Sequence, residues 1–141
     1  KHSPLRVVEA EEGEVVKIGH GYVAPGGVHL TVVAEGSRCR LRLLKTPPVN
    51  GVRPSVDVLM NSVAQARGDK AIGILLTGMG ADGTDGLTAI HTSGGVTIAQ
   101  NRETSAVFGM PRSAIRAGVV ARVRSLDAIP SAIVDSIERS P

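Results

Sequence analysis

The chain of 141 residues has one cysteine, Cys39, no tryptophan, one tyrosine, Tyr22, and one phenylalanine, Phe108. A single thiol excludes an internal disulfide and a cysteine-based zinc site. With aromatic residues at 1%, stacking on bases is not available, and the core has to be built from valine, isoleucine, leucine and alanine. No apolar run is long enough to cross a bilayer, and Lys1-His2-Ser3-Pro4 is not followed by the apolar core of a signal peptide. No run of like charge occurs. The 16 basic and 13 acidic residues leave a formal net charge of +3, a weak field beside the concentrated basic stripe of a nucleic-acid binder. Nucleic acid and membrane insertion are therefore set aside as partners, and the cytoplasm is the expected location.

What is present is a globular composition, 42% hydrophobic and 21% charged, of a length that suits one domain and buries about two thirds of its unfolded surface. The first third reads as antiparallel β. Leu5 to Val8 and Val15 to Ile18 are short extended pieces around the acidic turn Glu9 to Glu14. Tyr22-Val23-Ala24 runs into the turn Pro25-Gly26-Gly27. Val28, Leu30 and Val32 alternate with His29, Thr31 and Val33, and across Glu35-Gly36-Ser37 the residues Cys39, Leu41 and Leu43 alternate with Arg38, Arg40 and Arg42. That pattern predicts a hairpin with one wet face. His20 and His29 then read as solvent-facing or turn residues, and the three arginines as charges that keep an exposed strand from pairing further, or as a surface for acidic helices.

From Pro47 onward the pattern changes. A loop with three prolines leads into a helix whose Val56, Leu59, Met60, Val63 and Ala64 form one apolar stripe, stopped at Gly68. Ala71 to Leu76 is an unalternated apolar run, the mark of a strand buried on both faces. A helix around Leu87 to His91, a strand at Val96 to Ala99, a helix near Pro111 to Arg116, a strand at Val119 to Val123 and a last helix carrying Ile129, Ala132, Ile133 and Ile137 follow. Alternating strand and helix predict a three-layer α/β/α domain with a mainly parallel sheet and an appended antiparallel hairpin.

In such a sheet ligands gather beyond the carboxyl ends of the strands. The first such place is the turn Thr77-Gly78-Met79-Gly80-Ala81-Asp82-Gly83-Thr84-Asp85-Gly86. Gly78, Gly80 and Gly83 satisfy the spacing of a dinucleotide fingerprint, but Asp82 and Asp85 would repel a pyrophosphate at the helix start. An ionised Asp on a strand-end loop is instead what orients the histidine of a hydrolytic triad. The plainer alternative is that Asp82 or Thr84 caps the next helix. His91 and Ser93 precede Gly94-Gly95 but sit before their strand, the wrong end of the sheet for a site.

Five stretches carry a resemblance. Tyr22 to Leu30, Pro48 to Asp57, Leu75 to Gly83, Gly94 to Gln100 and Val107 to Pro111 resemble, in order and over nearly the whole chain, the catalytic domain of the chemotaxis protein-glutamate methylesterase CheB. The resemblance implies a cytoplasmic serine hydrolase that demethylates glutamates on the cytoplasmic domains of chemoreceptors and deamidates receptor glutamines, without a cofactor or metal. It places the triad aspartate at Asp82 and Met79 close to the active centre. Gly78, Gly80, Asn50 and Arg53 are the further candidates for the substrate cleft.

The family's nucleophile, in a Ser-Thr-Gly-Gly type turn, and its histidine, in a Gln-His turn, are expected before Lys1. Residues 1–141 then correspond to roughly the last three quarters of the domain, with the N-terminal receiver domain outside the chain too. Alone they are expected to be an inactive piece, with a non-catalytic receptor-binding module as the alternative, and to self-associate through uncovered strand edges.

Overall fold

In the computed structural model, which describes residues 3–139, the chain runs through seven strands and four helices. They are β1 (Arg6–Glu9), β2 (His20–Val23), β3 (His29–Glu35), β4 (Arg38–Leu44), α1 (Val56–Arg67), β5 (Ile72–Leu75), α2 (Thr84–Thr92), β6 (Val96–Gln100), α3 (Gly109–Arg116), β7 (Arg122–Arg124) and α4 (Ile129–Glu138). β5, β6 and β7 form a parallel sheet in that order. The period-two rule of a strand sorts its faces. Leu75 packs with Met60, Ala64, Leu87, Ile90 and Ala114 from α1, α2 and α3, whereas Ile72, Ile74 and Ile98 pack with Ile129, Ala132 and Ile133 of α4. Helices therefore cover both faces, and the three-layer α/β/α reading holds.

β3 and β4 make the expected antiparallel hairpin across the two-residue turn Gly36-Ser37. Two of its three arginines are satisfied within the chain: Arg40 forks onto Glu35 and Arg42 reaches Glu12. α1 packs on the hairpin through the cluster of Leu30, Leu41 and Leu59 and on α2 through its other side. It thus ties the hairpin to the parallel sheet. Gly68 (φ +52°) ends α1, and Gly94 (φ +86°) ends α2 one residue beyond its cap, with the Gly94 and Gly95 amides donating back to His91 and Ile90.

Five expectations are corrected. β1 pairs with β2 in parallel, not antiparallel, and Val15 to Ile18 forms no strand but touches β4 through one antiparallel bridge, Val15 to Arg40. α2 and α3 start earlier than the apolar stripe suggests, at Thr84 and Gly109, because their first turns carry glycines and polar residues. The last strand is Arg122–Arg124, a short edge strand rather than the apolar Val119 to Val123; Val119 and Val120 instead pack onto the helical core cluster. Finally, His29 is not solvent-facing: it is 0% exposed, since the loop from Pro47 to Ser55 closes over that side of the hairpin and bonds both its ring nitrogens.

Candidate active site

The loop after β5 is held by main-chain and side-chain bonds before any functional group is considered. The buried Gln100 at the end of β6 accepts the Thr77 amide through Oε1 (2.8 Å) and donates to the Thr104 carbonyl (2.8 Å). Gly78 exchanges bonds with the next crossover, donating to the Val107 carbonyl and accepting the Met110 amide, both at 2.9 Å. At Gly109 the approach is so close that a Cβ would stand 2.9 Å from the Gly78 carbonyl oxygen and 3.0 Å from the Gly80 nitrogen. Gly83, at φ +101°, turns the chain into α2 directly over the side chain of Leu75. Both positions exclude a side chain, so the loop has one path.

That path turns Asp82 inward, where it is 8% exposed. Its Oδ1 accepts the Ser55 hydroxyl (2.7 Å), the Asn50 amide (2.8 Å) and the Asp57 backbone N–H (3.3 Å), and its Oδ2 accepts the Val56 N–H (2.6 Å). Asp82 thus caps α1, whose own cap residue Ser55 makes no side-chain cap. Asp57 repays the bond in kind. Its Oδ1 accepts the Gly83 and Gly86 amides at 2.9 and 2.8 Å, and so caps α2. Asn50, at φ +54°, donates one amide hydrogen to each carboxylate, 2.7 Å to Asp57 and 2.8 Å to Asp82. Two helix N-termini with their positive ends together are each closed by the other's acid.

A further link lies behind Ser55. Its backbone N–H donates to Nδ1 of the buried His29 (3.1 Å), which fixes the ring hydrogen on Nε2, where it is donated to the Pro47 carbonyl (2.9 Å). His29 is therefore a neutral imidazole that locates Ser55, and Ser55 locates Asp82.

Burial works to raise the Asp82 carboxyl above its ordinary 3.8, but the Ser55 hydroxyl, the Asn50 amide and the Val56 and Asp57 amides outweigh it and hold the group below that value. A depressed folded value means that ionised Asp82 contributes stability in full above the ordinary carboxylate range, and that this contribution is lost as pH falls through the folded value. The stability difference between the native chain and Asp82→Asn, measured by urea unfolding, is expected to be largest near about pH 7 and to shrink below about pH 4. A difference that stays constant down to about pH 2 would show that Asp82 carries no such shift.

Of the expected site residues, the structure joins Asp82 and Asn50 directly. Gly78 and Gly80 shape the loop, and Met79 stands 85% exposed on its crest. Arg53 is not brought to Asp82: its guanidinium donates to the Lys45 and Thr46 carbonyls and anchors the proline loop. Ser55 ends the stretch from Asn50 that the resemblance assigns to the cleft, whereas Asp57 and His29 are not singled out by the sequence; the only local sign of Asp57 is Ser55-Val56-Asp57 at a helix start. The plain capping reading is right in kind, but the helix that Asp82 caps is α1 and not the one that follows it. The same bonds dispose of the dinucleotide fingerprint, since Asp57 already occupies the Gly83 and Gly86 amides that a pyrophosphate would need. His91 and Ser93 are exposed at the far end of α2.

Chemically, the arrangement offers an ionised carboxylate fixed at the carboxyl end of the sheet. Oδ1 accepts three hydrogen bonds and Oδ2 only one, which leaves Oδ2 able to accept one more.

Comparison with known proteins follows the same line. The family described as CheB methylesterase matches residues 1–133. A protein-glutamate methylesterase/protein-glutamine glutaminase of Geobacillus kaustophilus is 51% identical over 134 residues, covering 94% of this chain and 38% of the relative. The protein of that name from Pyrococcus abyssi is 45% identical over 136 residues, covering 96% and 37%. The chain thus spans under two fifths of the length of these relatives. The crystal structure of the Thermotoga maritima CheB methylesterase catalytic domain superposes with a TM-score of 0.88 at 41% identity, over 90% of this chain and 67% of that one.

Proposed function

The chain belongs to the CheB methylesterase family, and from that we propose that it forms the aspartate-bearing part of a protein-glutamate methylesterase that also deamidates glutamine, acting in the cytoplasm on chemoreceptor cytoplasmic domains. The single observation that carries this reading is the state of Asp82: ionised, locked at four points, on the loop beyond β5, with one acceptor position of Oδ2 unused.

In the complete protein the serine attacks the carbonyl carbon of the glutamyl methyl ester while the histidine takes the hydroxyl proton. The histidine returns that proton to the departing methoxide, methanol leaves, and water cleaves the acyl-enzyme by the same exchange. Asp82 accepts the hydrogen of the other ring nitrogen, holding the useful tautomer and stabilising the imidazolium as it forms. Four hydrogen bonds prevent the carboxylate from rotating away between these steps. The nucleophile and histidine belong to the family's Ser-Thr-Gly-Gly and Gln-His turns, sequences that residues 1–141 do not contain.

The test compares two proteins on one assay. The complete protein, with the upstream segment and receiver domain in place, is expected to release methanol from a methyl-esterified chemoreceptor, and residues 1–141 alone are expected to release none. Hydrolysis by the 141 residues alone would overturn the assignment of serine and histidine, and a silent complete protein would overturn the esterase reading itself. Binding of the receptor by a silent complete protein would favour the non-catalytic alternative.

A further inference from the structure

On the α3 side of the same loop lies a hollow of about 410 Å³ lined by Gly80, Gly109, Arg112, Ser113 and Arg116. It flanks Asp82 on both sides in sequence: Gly80 precedes the acid by two residues, and Ser113 is bonded to Thr84, two residues after it, through their hydroxyls at 2.8 Å. Its floor is bare main chain, because Gly80 and Gly109 contribute no side chains and are in near contact. Arg112 and Arg116 stand one turn apart on α3, exposed and on one face.

No acid offsets them. α3 contains no acidic residue, and among the described residues the ion pairs are Arg40 with Glu35 and Arg42 with Glu12. Among the described residues neither Arg112 nor Arg116 belongs to a pair, and neither guanidinium makes a side-chain hydrogen bond. Two like charges at this spacing work against the helix that carries them. Guanidinium forks lining a hollow are suited to carboxylates, which they grip in bidentate fashion.

We propose that this hollow seats carboxylates of acidic residues flanking the esterified glutamate, so that Arg112 and Arg116 select acidic polypeptide segments as substrates. The inference rests on the methylesterase reading. A polypeptide esterified at some glutamates and free at others presents carboxylates beside the reacting ester, and each turnover adds one more. Arg112 and Arg116 are four residues apart on α3, about 6 Å of rise, and two glutamates four residues apart on a helical substrate have the same spacing.

The experiment uses the complete protein with two substrates: a methyl-esterified acidic receptor segment, and a short peptide glutamate methyl ester with no acidic neighbour. The kcat/KM ratio of acidic to neutral substrate is expected to fall about tenfold or more in the double variant Arg112→Ala/Arg116→Ala, through KM on the acidic substrate. Added salt is expected to depress the native ratio and leave that of the double variant nearly flat. Arg112→Lys/Arg116→Lys is expected to regain part of the preference at low salt and to lose it at high salt, whereas a preference due to packing of the stems alone would persist at high salt. A double variant whose ratio matches the native one, or a native ratio indifferent to salt, overturns the proposal while leaving the esterase reading standing. Failure of the native protein on both substrates overturns the two together.

Discussion

Asp82→Asn in the complete protein is expected to lower methanol release by about three to four orders of magnitude without unfolding the domain. The scale follows from serine proteases, where the same exchange of the triad aspartate costs about 10⁴ in kcat because the histidine is held in the wrong tautomer. The local bonds specify how the damage arises here. Oδ1 accepts three hydrogen bonds and Oδ2 one, so the amide of the variant keeps its oxygen at the Oδ1 position and turns its NH₂ toward the Val56 N–H. That NH₂ then faces any ring N–H brought to it with a donor in place of a lone pair, which favours the other tautomer. The structural loss is confined to one acceptor facing one buried amide, about 1–3 kcal/mol, against about 5–15 kcal/mol of stability for a domain. Methanol release and near-UV circular dichroism on the same preparation separate the two effects. Turnover within about tenfold of native by a folded variant would remove Asp82 from the mechanism.

The parallel half of the molecule was legible because its signal is local. The run from Ala71 to Leu76 does not alternate, since α2 covers one face of β5 and α4 the other. The glycines at positions 78, 80 and 83 mark the turn that follows. β1 and β2 were misjudged in direction because four-residue strands with no fully buried side chain carry no information about which strand they meet, or in which sense. His29 was misplaced for a related reason: alternation assigns one wet face to a hairpin, whereas here the loop Pro47 to Ser55 covers the second face at that end.

The site divides in the same way. Glycine spacing and strand position pointed to the loop that carries Asp82 and Asp85, and the family resemblance chose Asp82 between them. Its partners could not be read in this way, because a capping box is read from neighbours three residues apart, while these caps cross between residues 25 and 29 positions apart in the chain. Asp57 looks like an ordinary acid in the first turn of a helix until α2 is placed beside α1. Arg53 illustrates the converse. It is a candidate for the substrate cleft by resemblance, and its bonds to the Lys45 and Thr46 carbonyls, a role within the proline loop, could not be read from its neighbours in sequence.

The reciprocal caps make Asp57 the residue whose loss should cost the fold most. Asp57→Ala removes the acceptor of the Gly83 and Gly86 amides and of one Asn50 amide hydrogen, in a position 4% exposed. Each buried donor left unpaired costs about 1–3 kcal/mol. Water entering the vacated space recovers part, so the net expectation is about 3–5 kcal/mol, a large fraction of a domain's stability. With a urea m-value of about 1–3 kcal/mol/M, the unfolding midpoint should fall by roughly 2 M. Asp57→Asn keeps one oxygen between the two α2 amides and is expected to lose about half as much.

Because Asp57 and Asp82 share Asn50, the loss in a double variant with Asp82→Ala should be smaller than the sum of the two single losses. Hydrogen exchange tells a lost cap from general weakening: the Gly83 and Gly86 amides should lose protection in Asp57→Ala by more than the global loss of stability, whereas the amides of β6 should follow global stability alone. A midpoint shift under about 0.3 M, with those two amides still protected, would show that α2 is capped by something other than Asp57. The joining of the two helix N-termini, and the fixed position of Asp82 that depends on it, would then need another cause.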